Sequence, residues 1–211
     1  MHLFSVEHSK AAYLFDYVLY GIAALALASL LCLAPPDAPR LEMGALALLG
    51  LSGWSLMEYL LHRFVLHGLR PFSTWHAEHH FRPSALICAP TWLSATLIAT
   101  LIFIPALLVG GFWRANALTF GLLCGYLAYA IAHHATHHWR SRSGWLRDRK
   151  RWHALHHAAS LNCSHYGVTT SLWDYLLGTA PPQHLARPLP SIRRQPGNVY
   201  EIHKQRKDQK P

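Results

Sequence analysis

Histidines are concentrated in one part of this chain. Of its seventeen histidines, thirteen lie between His62 and His165. Ten of these form four closely spaced groups: His62 and His67; His76, His79 and His80; His133 and His137; and His153, His156 and His157. Neutral imidazole is a common metal ligand, and all-nitrogen ligation suits iron, zinc or copper better than magnesium or calcium. Because ten ligands exceed what one tetrahedral ion takes, the groups predict two metal ions held close together.

The spacing within the groups is typical of helices. Positions i, i+3 and i+4 share one face of an α-helix, so each histidine triplet would point in one direction, and His133 and His137 would stack one turn apart. His62 and His67 would lie about 140° apart on an unbroken α-helix. Such a pair suits either opposite flanks of a two-metal site or a helix that frays at its end.

Other polar residues near the groups are candidates for supporting roles. They are Glu58, Asp174, His134, His138 and His165. A carboxylate one turn before a ligand, as Glu58 stands to His62, could accept the ligand's N–H. A charge at a helix end explains Glu58 equally well, and a helix N-terminal carboxylate explains Asp174. The remaining three histidines are candidate ligands or second-sphere groups.

Long uncharged stretches indicate membrane-spanning helices. The 211 residues are 52% hydrophobic and only 14% charged. About 18 or more consecutive apolar residues are typical of a spanning helix. We therefore expect an all-α integral membrane protein, a bundle of four spans with a helical, histidine-rich, metal-binding cap. The predicted spans are 13–33, 44–61, 86–109 and 117–132.

The charges are unevenly distributed. Residues 1–138 contain six basic and six acidic side chains, whereas the last 73 residues contain thirteen basic and four acidic ones. Four spans would put both termini on one side, together with the histidine groups, and the positive-inside rule makes that side cytoplasmic. The basic residues are not interleaved with aromatic residues as a base-stacking platform, so we expect no nucleic-acid partner. Attraction to anionic lipid headgroups fits them better.

Three regions are expected along the chain. Residues 1–43 would contain an N-terminal segment and the first span, and residues 44–180 would form the histidine-bearing domain. Residues 181–211 would form a basic cytoplasmic tail, which the composition predicts to be flexible.

The order of the motifs resembles a known family. The sequence Glu58-Tyr59-x2-His62-Arg63-Phe64-x2-His67, the later histidine groups and the segment 166–179 are similar to the fatty acid hydroxylase superfamily, which also contains sterol desaturases. This resemblance implies an oxygen-dependent membrane enzyme with a histidine-ligated di-iron centre on the cytoplasmic face. Members hydroxylate or desaturate acyl chains, sphingolipids, sterols or similar lipids.

The resemblance also implies cofactors and partners. We expect two iron ions, which zinc can replace in isolated protein, and a lipid substrate drawn from the bilayer. The chain shows no cytochrome b5-like sequence, so we expect electrons from a separate donor such as a ferredoxin or a cytochrome b5-like protein. Only eight residues separate His67 from His76, fewer than in eukaryotic ceramide acyl hydroxylases, so the cap over the substrate is expected to differ.

Two other classes of protein fit the histidine pattern less well than the enzyme does. A membrane metal-binding or metal-transport protein without oxygenase activity would require ionisable residues along a path through the membrane, whereas the ten histidines are expected at one edge. A haem-binding electron-transfer protein would require histidine pairs facing each other across a bundle rather than triplets.

Overall fold

The computed structural model describes residues 7–158 and 164–180, and within these ranges it is helical and has no strands. This confirms the all-α class. The helices are α1 (Lys10–Cys32), α2 (Arg40–Leu60), α3 (Phe72–Phe81), α4 (Thr91–Ile98), α5 (Ile104–His138), α6 (Gly144–Ala158) and α7 (Leu172–Leu176). Two π-helical segments, Leu61–Leu66 and Ala99–Phe103, continue α2 and α4. The tail predicted at 181–211 lies outside the described residues.

Three helical stretches in the described ranges are long and apolar enough to cross a membrane. They are Lys10–Cys32, Arg40–Leu66 and Thr91–His138. Large apolar side chains on their surfaces are exposed, including Ile22, Leu25 and Leu108 at 61%, 70% and 81%. Lipid contact explains such exposure, because a bilayer is as apolar as these side chains. The coarse expectation of a multi-span membrane protein is therefore met.

The third stretch joins two spans that the sequence predicted separately. It contains 48 residues, and as one straight helix it would be roughly 70 Å long, more than twice the hydrocarbon thickness. At Gly111 the backbone leaves helical geometry, with φ 76° and ψ 178°. Only glycine adopts this conformation readily. Two helices therefore meet at Gly111, between the predicted spans 86–109 and 117–132.

Close packing of α2 against the second half of α5 depends on glycines. A Cβ atom at Gly121 would lie 1.8 Å from the carbonyl oxygen of Ala47, and one at Gly125 would lie 2.4 Å from the Cβ of Trp54. Small residues allow membrane helices to approach in this way. The packing brings the C-terminal ends of α2 and α5 side by side, where the histidines begin.

Candidate metal centre

Four helical elements bring the ten grouped histidines together. His62 lies in the first π-helical segment and His67 immediately follows it, while the other three groups lie on α3, at the end of α5 and on α6. Their ring nitrogens form two clusters. Cluster A consists of His62, His67, His76, His80 and His156; cluster B consists of His79, His133, His137 and His153. His157 adjoins cluster B, with its Nε2 atom 3.0 Å from that of His153.

Cluster A is compact. The Nε2 atom of His76 lies 2.9 Å from that of His62 and 3.1 Å from that of His80. The Nε2 atoms of His67 and His156 are 3.1 Å apart. Five nitrogens from three separate parts of the chain therefore converge on one point.

Cluster B forms a similar arrangement. The Nε2 atom of His133 lies 3.2 Å from that of His79 and 3.3 Å from that of His137. His137 and His153 approach to 2.7 Å through the same atoms. The two clusters adjoin, because the rings of His80 and His157 stack with centroids 4.2 Å apart.

Each triplet divides its histidines between the clusters. On α3, His76 and His80 belong to cluster A and His79 to cluster B. On α6 the arrangement is reversed, with His153 in cluster B and His156 in cluster A. Residues four apart point to the same cluster, and the residue three positions after the first reaches the other. Helices α3 and α6 therefore each contribute histidines to both clusters.

The pair His62 and His67 differs from both geometries that the sequence suggested. The two residues belong to the same cluster and so do not lie on opposite flanks, and the helix continues through His62 as a π-helical segment that ends just before His67. The π-helical geometry explains this, since its i→i+5 bond, formed by the His67 N–H and the His62 carbonyl at 3.2 Å, aligns residues five apart. The five-residue spacing is thus the π-helical counterpart of His133 and His137.

The contacts fit metal ligation better than hydrogen bonding. In each cluster the candidate ligand atoms all lie within 4.8 Å of one another. Neighbouring ligands with metal–nitrogen bonds of about 2.0–2.1 Å would be roughly 3 Å apart, and opposite ligands roughly 4 Å. A neutral Nε2 atom offers either one proton or one lone pair. It cannot hydrogen-bond well to two neighbouring Nε2 atoms, as His76, His133, His137 and His153 would have to do.

Burial keeps these imidazoles neutral. Burial and the neighbouring His157 lower the pKa of His67 to about 4 and that of His80 to about 3. Burial, followed by the charges of His137 and His157, lowers the pKa of His79 to about 2. A neutral imidazole has the free lone pair that a metal requires. The clusters are therefore ready to bind metal at neutral pH.

Backbone carbonyl groups orient two of the histidines. The Nδ1 atom of His62 donates to the Tyr166 carbonyl at 2.6 Å, and that of His156 donates to the Ser164 carbonyl at 2.9 Å. A proton fixed on Nδ1 leaves the lone pair on Nε2, which points into cluster A. The segment after the last histidine group thus supports this cluster directly.

Glu58 and Asp174 accept hydrogen bonds from that segment, whereas the sequence suggested that each would accept the N–H of a histidine ligand. Buried Glu58 accepts the N–H groups of Val168 and Thr169 at 2.6 and 2.9 Å. Fully buried Asp174 accepts those of Tyr166 and Gly167 at 2.8 and 2.9 Å. The two carboxylates therefore fix residues 166–169, whose carbonyl in turn orients His62.

The three remaining candidate histidines lie outside both clusters. The Nδ1 atom of His134 lies 3.2 Å from the Tyr13 hydroxyl, and the His134 ring stacks on His138 at 4.5 Å. His165 is buried beside Trp152, with ring centroids 5.2 Å apart. None of the three contributes a nitrogen to cluster A or B.

A cavity of about 260 Å³ lies against both clusters. His62 and His76 of cluster A and His79, His133 and His137 of cluster B contribute to its wall. The rest of the wall is mostly aromatic and apolar and comes from α1, α2 and the π-helical segment after it, α3, α5 and residues 83–97. Such a pocket suits an apolar ligand placed beside the metal centre.

Comparison with known proteins defines the class. The sequence profile of the fatty acid hydroxylase family matches residues 47–179, a range that contains all ten clustered histidines together with Glu58 and Asp174. The chain therefore belongs to the fatty acid hydroxylase family, and the resemblance drawn from its motifs is confirmed.

Individual relatives are also fatty acyl or fatty acid hydroxylases by name. A dihydroceramide fatty acyl 2-hydroxylase of Arabidopsis thaliana is 31% identical over 160 residues, covering 66% of this chain and 62% of the relative. Fatty acid 2-hydroxylase of Homo sapiens is 30% identical, covering 69% of this chain and 42% of the relative. The chain thus spans less than two thirds of the length of either.

A solved structure supports the fold. The chain is similar to full-length scs7p, in which only the hydroxylase domain is visible. The TM-score is 0.70 at 23% identity, and the match covers 88% of this chain and 70% of the other.

Some residues of the site could not be identified from sequence motifs. Asp16 and Trp54 line the cavity but belong to no motif, and the carbonyl groups of Ser164 and Tyr166 carry no signal of residue type. The one available signal was Asp16 itself, an acidic residue within the predicted first span.

Proposed function

We propose that this protein is a membrane-bound di-iron oxygenase that hydroxylates, or desaturates, a lipid alkyl chain with dioxygen and external electrons. The observation that carries the proposal is the pair of adjoining histidine clusters beside an apolar cavity. Family membership and the hydroxylase names of the relatives support it. Oxidising an unactivated C–H bond requires a cofactor, and bound iron would supply the activation of dioxygen.

The geometry supports a particular assignment of ligands. The five histidines of cluster A would hold one ion, and the four of cluster B together with His157 would hold the other. Each ion would then have five nitrogen ligands. Zinc binds nitrogen sites more tightly than ferrous iron, so it is expected to replace iron in overexpressed protein.

The side chains around the cavity would position the substrate. Leu61, Val65, Leu66 and Leu97 offer an apolar surface to an alkyl chain entering from the bilayer. Confinement in this wall would hold one carbon near the clusters and exclude water. Glu58 and Asp174 would keep the metal ligands in position through residues 166–169.

We further propose four membrane crossings with a cytoplasmic metal centre. The break at Gly111 supports separate crossings at 91–110 and 112–138. An even number puts both termini on one side, and the basic excess favours the cytoplasm. A reduced electron donor, such as a ferredoxin or a cytochrome b5-like protein, would reach the histidines there. The domain boundaries at residues 43 and 180 are part of the same proposal.

The alternative, a metal-binding or metal-transport protein without oxygenase activity, has less support. The names of the relatives describe hydroxylases. A transporter would also need a polar route across the membrane. Both clusters instead lie where α2 and α5 end, and the adjacent cavity is mostly apolar.

Metal content and lipid products together test the proposal. Protein purified from iron-replete cells should contain two metal ions per chain by elemental mass spectrometry, and cells that produce it should accumulate an oxidised lipid. His137→Ala should lower the content to one ion or fewer and abolish the product. His134→Ala, one turn away but outside the clusters, should retain both ions. A wild-type content near one ion, or product formation by metal-free protein, would overturn the di-iron assignment.

A further inference from the structure

An acidic side chain lies inside the first membrane-spanning helix. Asp16 on α1 is only 7% exposed. Its Oδ2 atom accepts a hydrogen bond from the Tyr126 hydroxyl at 2.8 Å. Its Oδ1 atom has no hydrogen-bond partner among the described residues. Acidic residues are costly in a membrane and usually serve a site or a pathway.

A second unpaired polar group lies beside the same tyrosine. The indole N–H of Trp54 on α2 has no hydrogen-bond partner in the described part of the chain, and the residue is 6% exposed. Its ring stands edge-on to that of Tyr126, with centroids 5.2 Å apart. Buried polar groups are nearly always hydrogen-bonded in folded proteins. Two unpaired groups that flank one tyrosine therefore indicate a polar ligand.

The residues that carry the two unpaired groups line the cavity beside the metal centre. Asp16, Trp54 and Tyr126 contribute to the same wall as His62 and His133. Trp54 precedes His62 by eight residues in the continuous helical stretch Arg40–Leu66, and Tyr126 precedes His133 by seven on α5. At a rise of 1.5 Å per residue, the positions of Trp54 and Tyr126 lie about 10–12 Å along the helices from those of the histidines. One elongated ligand could therefore touch both places.

We propose that Asp16 and Trp54 bind a hydroxyl group of the lipid substrate, at about 10–12 Å from the carbon that is oxidised. This inference rests on the proposed function. A hydroxyl oxygen can accept the Trp54 N–H and share its own proton with Asp16, so one group satisfies both side chains. A plain methylene chain satisfies neither. The pair therefore selects a lipid that already carries a hydroxyl at a defined distance from the reacting carbon.

Binding of matched lipids tests the inference without relying on turnover. The probes are methyl octadecanoate and its isomers with one hydroxyl stepped along the chain, and their dissociation constants for the purified full-length protein are measured by native mass spectrometry. The wild type should bind at least one isomer about tenfold more tightly than methyl octadecanoate. Asp16→Leu and Trp54→Phe should each bring that ratio close to one.

Two controls match these variants in residue type. Asp37→Leu alters an exposed acidic residue, and Trp92→Phe alters a tryptophan that is 59% exposed. Both should keep the wild-type ratio. If Asp16→Leu does not fold, Trp54→Phe decides the question, because it retains an aromatic ring and removes the N–H.

The outcomes separate this inference from the proposed function. Equal wild-type affinity for all isomers, or a preference that survives both variants, overturns the inference, even if the same preparations oxidise lipids. A preference that depends on Asp16 or Trp54 supports the hydroxyl site. If it is found without any oxidised product from iron-loaded protein, the hydroxyl site stands and the oxygenase proposal fails.

Discussion

At the level of single residues, two buried carboxylates support the metal centre indirectly, through a backbone segment. Glu58 and Asp174 accept backbone N–H groups from residues 166–169, and the Tyr166 carbonyl then orients His62. Substitutions other than proline leave a backbone N–H in place. The carboxylates are therefore the points at which this support can be removed.

Glu58→Ala should destabilise the protein and lower its metal content. It would leave the N–H groups of Val168 and Thr169 and the Thr169 hydroxyl without their acceptor. Each orphaned buried group costs roughly 1–3 kcal/mol. Glu78→Ala is the matched control, since the ion pair with Arg82 is about half exposed and is worth at most about 1 kcal/mol. Denaturant midpoints and elemental analysis measure both effects; equal midpoints for the two variants would contradict the prediction.

The metal-free protein should lose stability in mild acid. Burial lowers the pKa of His67 from 6.5 to about 4 and that of His80 to about 3 in the folded state. Between these values and 6.5 the unfolded chain binds more protons, so the stability present above pH 6.5 falls as the pH drops. Melting temperatures from pH 7.5 to 4 measure the effect. A flat profile over that range would show that these histidines are not buried.

The sequence indicated which histidines come together, but not the groups that hold them in place. All ten histidines of the four groups lie in or beside the two clusters, because residue type and helical spacing are visible in a sequence. The carbonyl groups of Ser164 and Tyr166 are common to every residue and have no such signal. Glu58 and Asp174 were identified as supporting residues, but their partners are backbone N–H groups and became apparent only in three dimensions.

At the level of elements, a local change of helix type explains one spacing. Histidines four residues apart share a cluster on α-helices, and those five apart share a cluster on the π-helical segment Leu61–Leu66. Pattern analysis assumes a period of 3.6 residues, and it therefore placed His62 and His67 about 140° apart. This segment packs against α3, and no residue type in it signals the wider turn.

Two glycines on α2 and α5 differ in the space around them, and this difference can be tested. Gly121→Ala should destabilise the protein by about 1–3 kcal/mol, because the added Cβ would overlap the Ala47 carbonyl. Gly53→Ala, where no atom lies within 4 Å of the added Cβ, should be neutral or stabilise by up to about 1 kcal/mol through helix propensity. Unfolding midpoints in the same detergent compare them. Effects of the same sign and size would argue against this helix contact.

At the level of the whole molecule, the expected topology concerns the two ends of α1. A reporter fused after Lys210 should behave as cytoplasmic, and one inserted near Asp37, between α1 and α2, as external. The reason is the basic excess of the C-terminal part, which resists translocation. Glycosylation or alkaline phosphatase fusions provide the measurement, and an insertion after Ser141 serves as a second cytoplasmic site. A cytoplasmic signal near Asp37 would remove the first crossing.

The all-helical class and the apolar stretches were predictable from the sequence, with one ambiguity. Apolar length predicted spans at 13–33 and 44–61, where the structure has the stretches Lys10–Cys32 and Arg40–Leu66, and the interruption at Gly111 falls between the predicted spans 86–109 and 117–132. The four predicted spans nevertheless appear as three apolar stretches, because a single non-helical residue links two of them directly. Composition reports apolar length but not how sharply a chain turns.

The division of α3 and α6 between the clusters has a thermodynamic consequence. An ion in cluster A would order both helices, since each supplies it with a ligand, and the same helices supply cluster B. Binding of the first ion would carry the entropy cost of ordering the two helices. The second ion would then bind with higher affinity, because the helices are already ordered. A titration of metal-free protein should therefore proceed from empty to doubly loaded with little singly loaded species. A chelator should likewise remove both ions together, as if the two sites were a single cooperative unit.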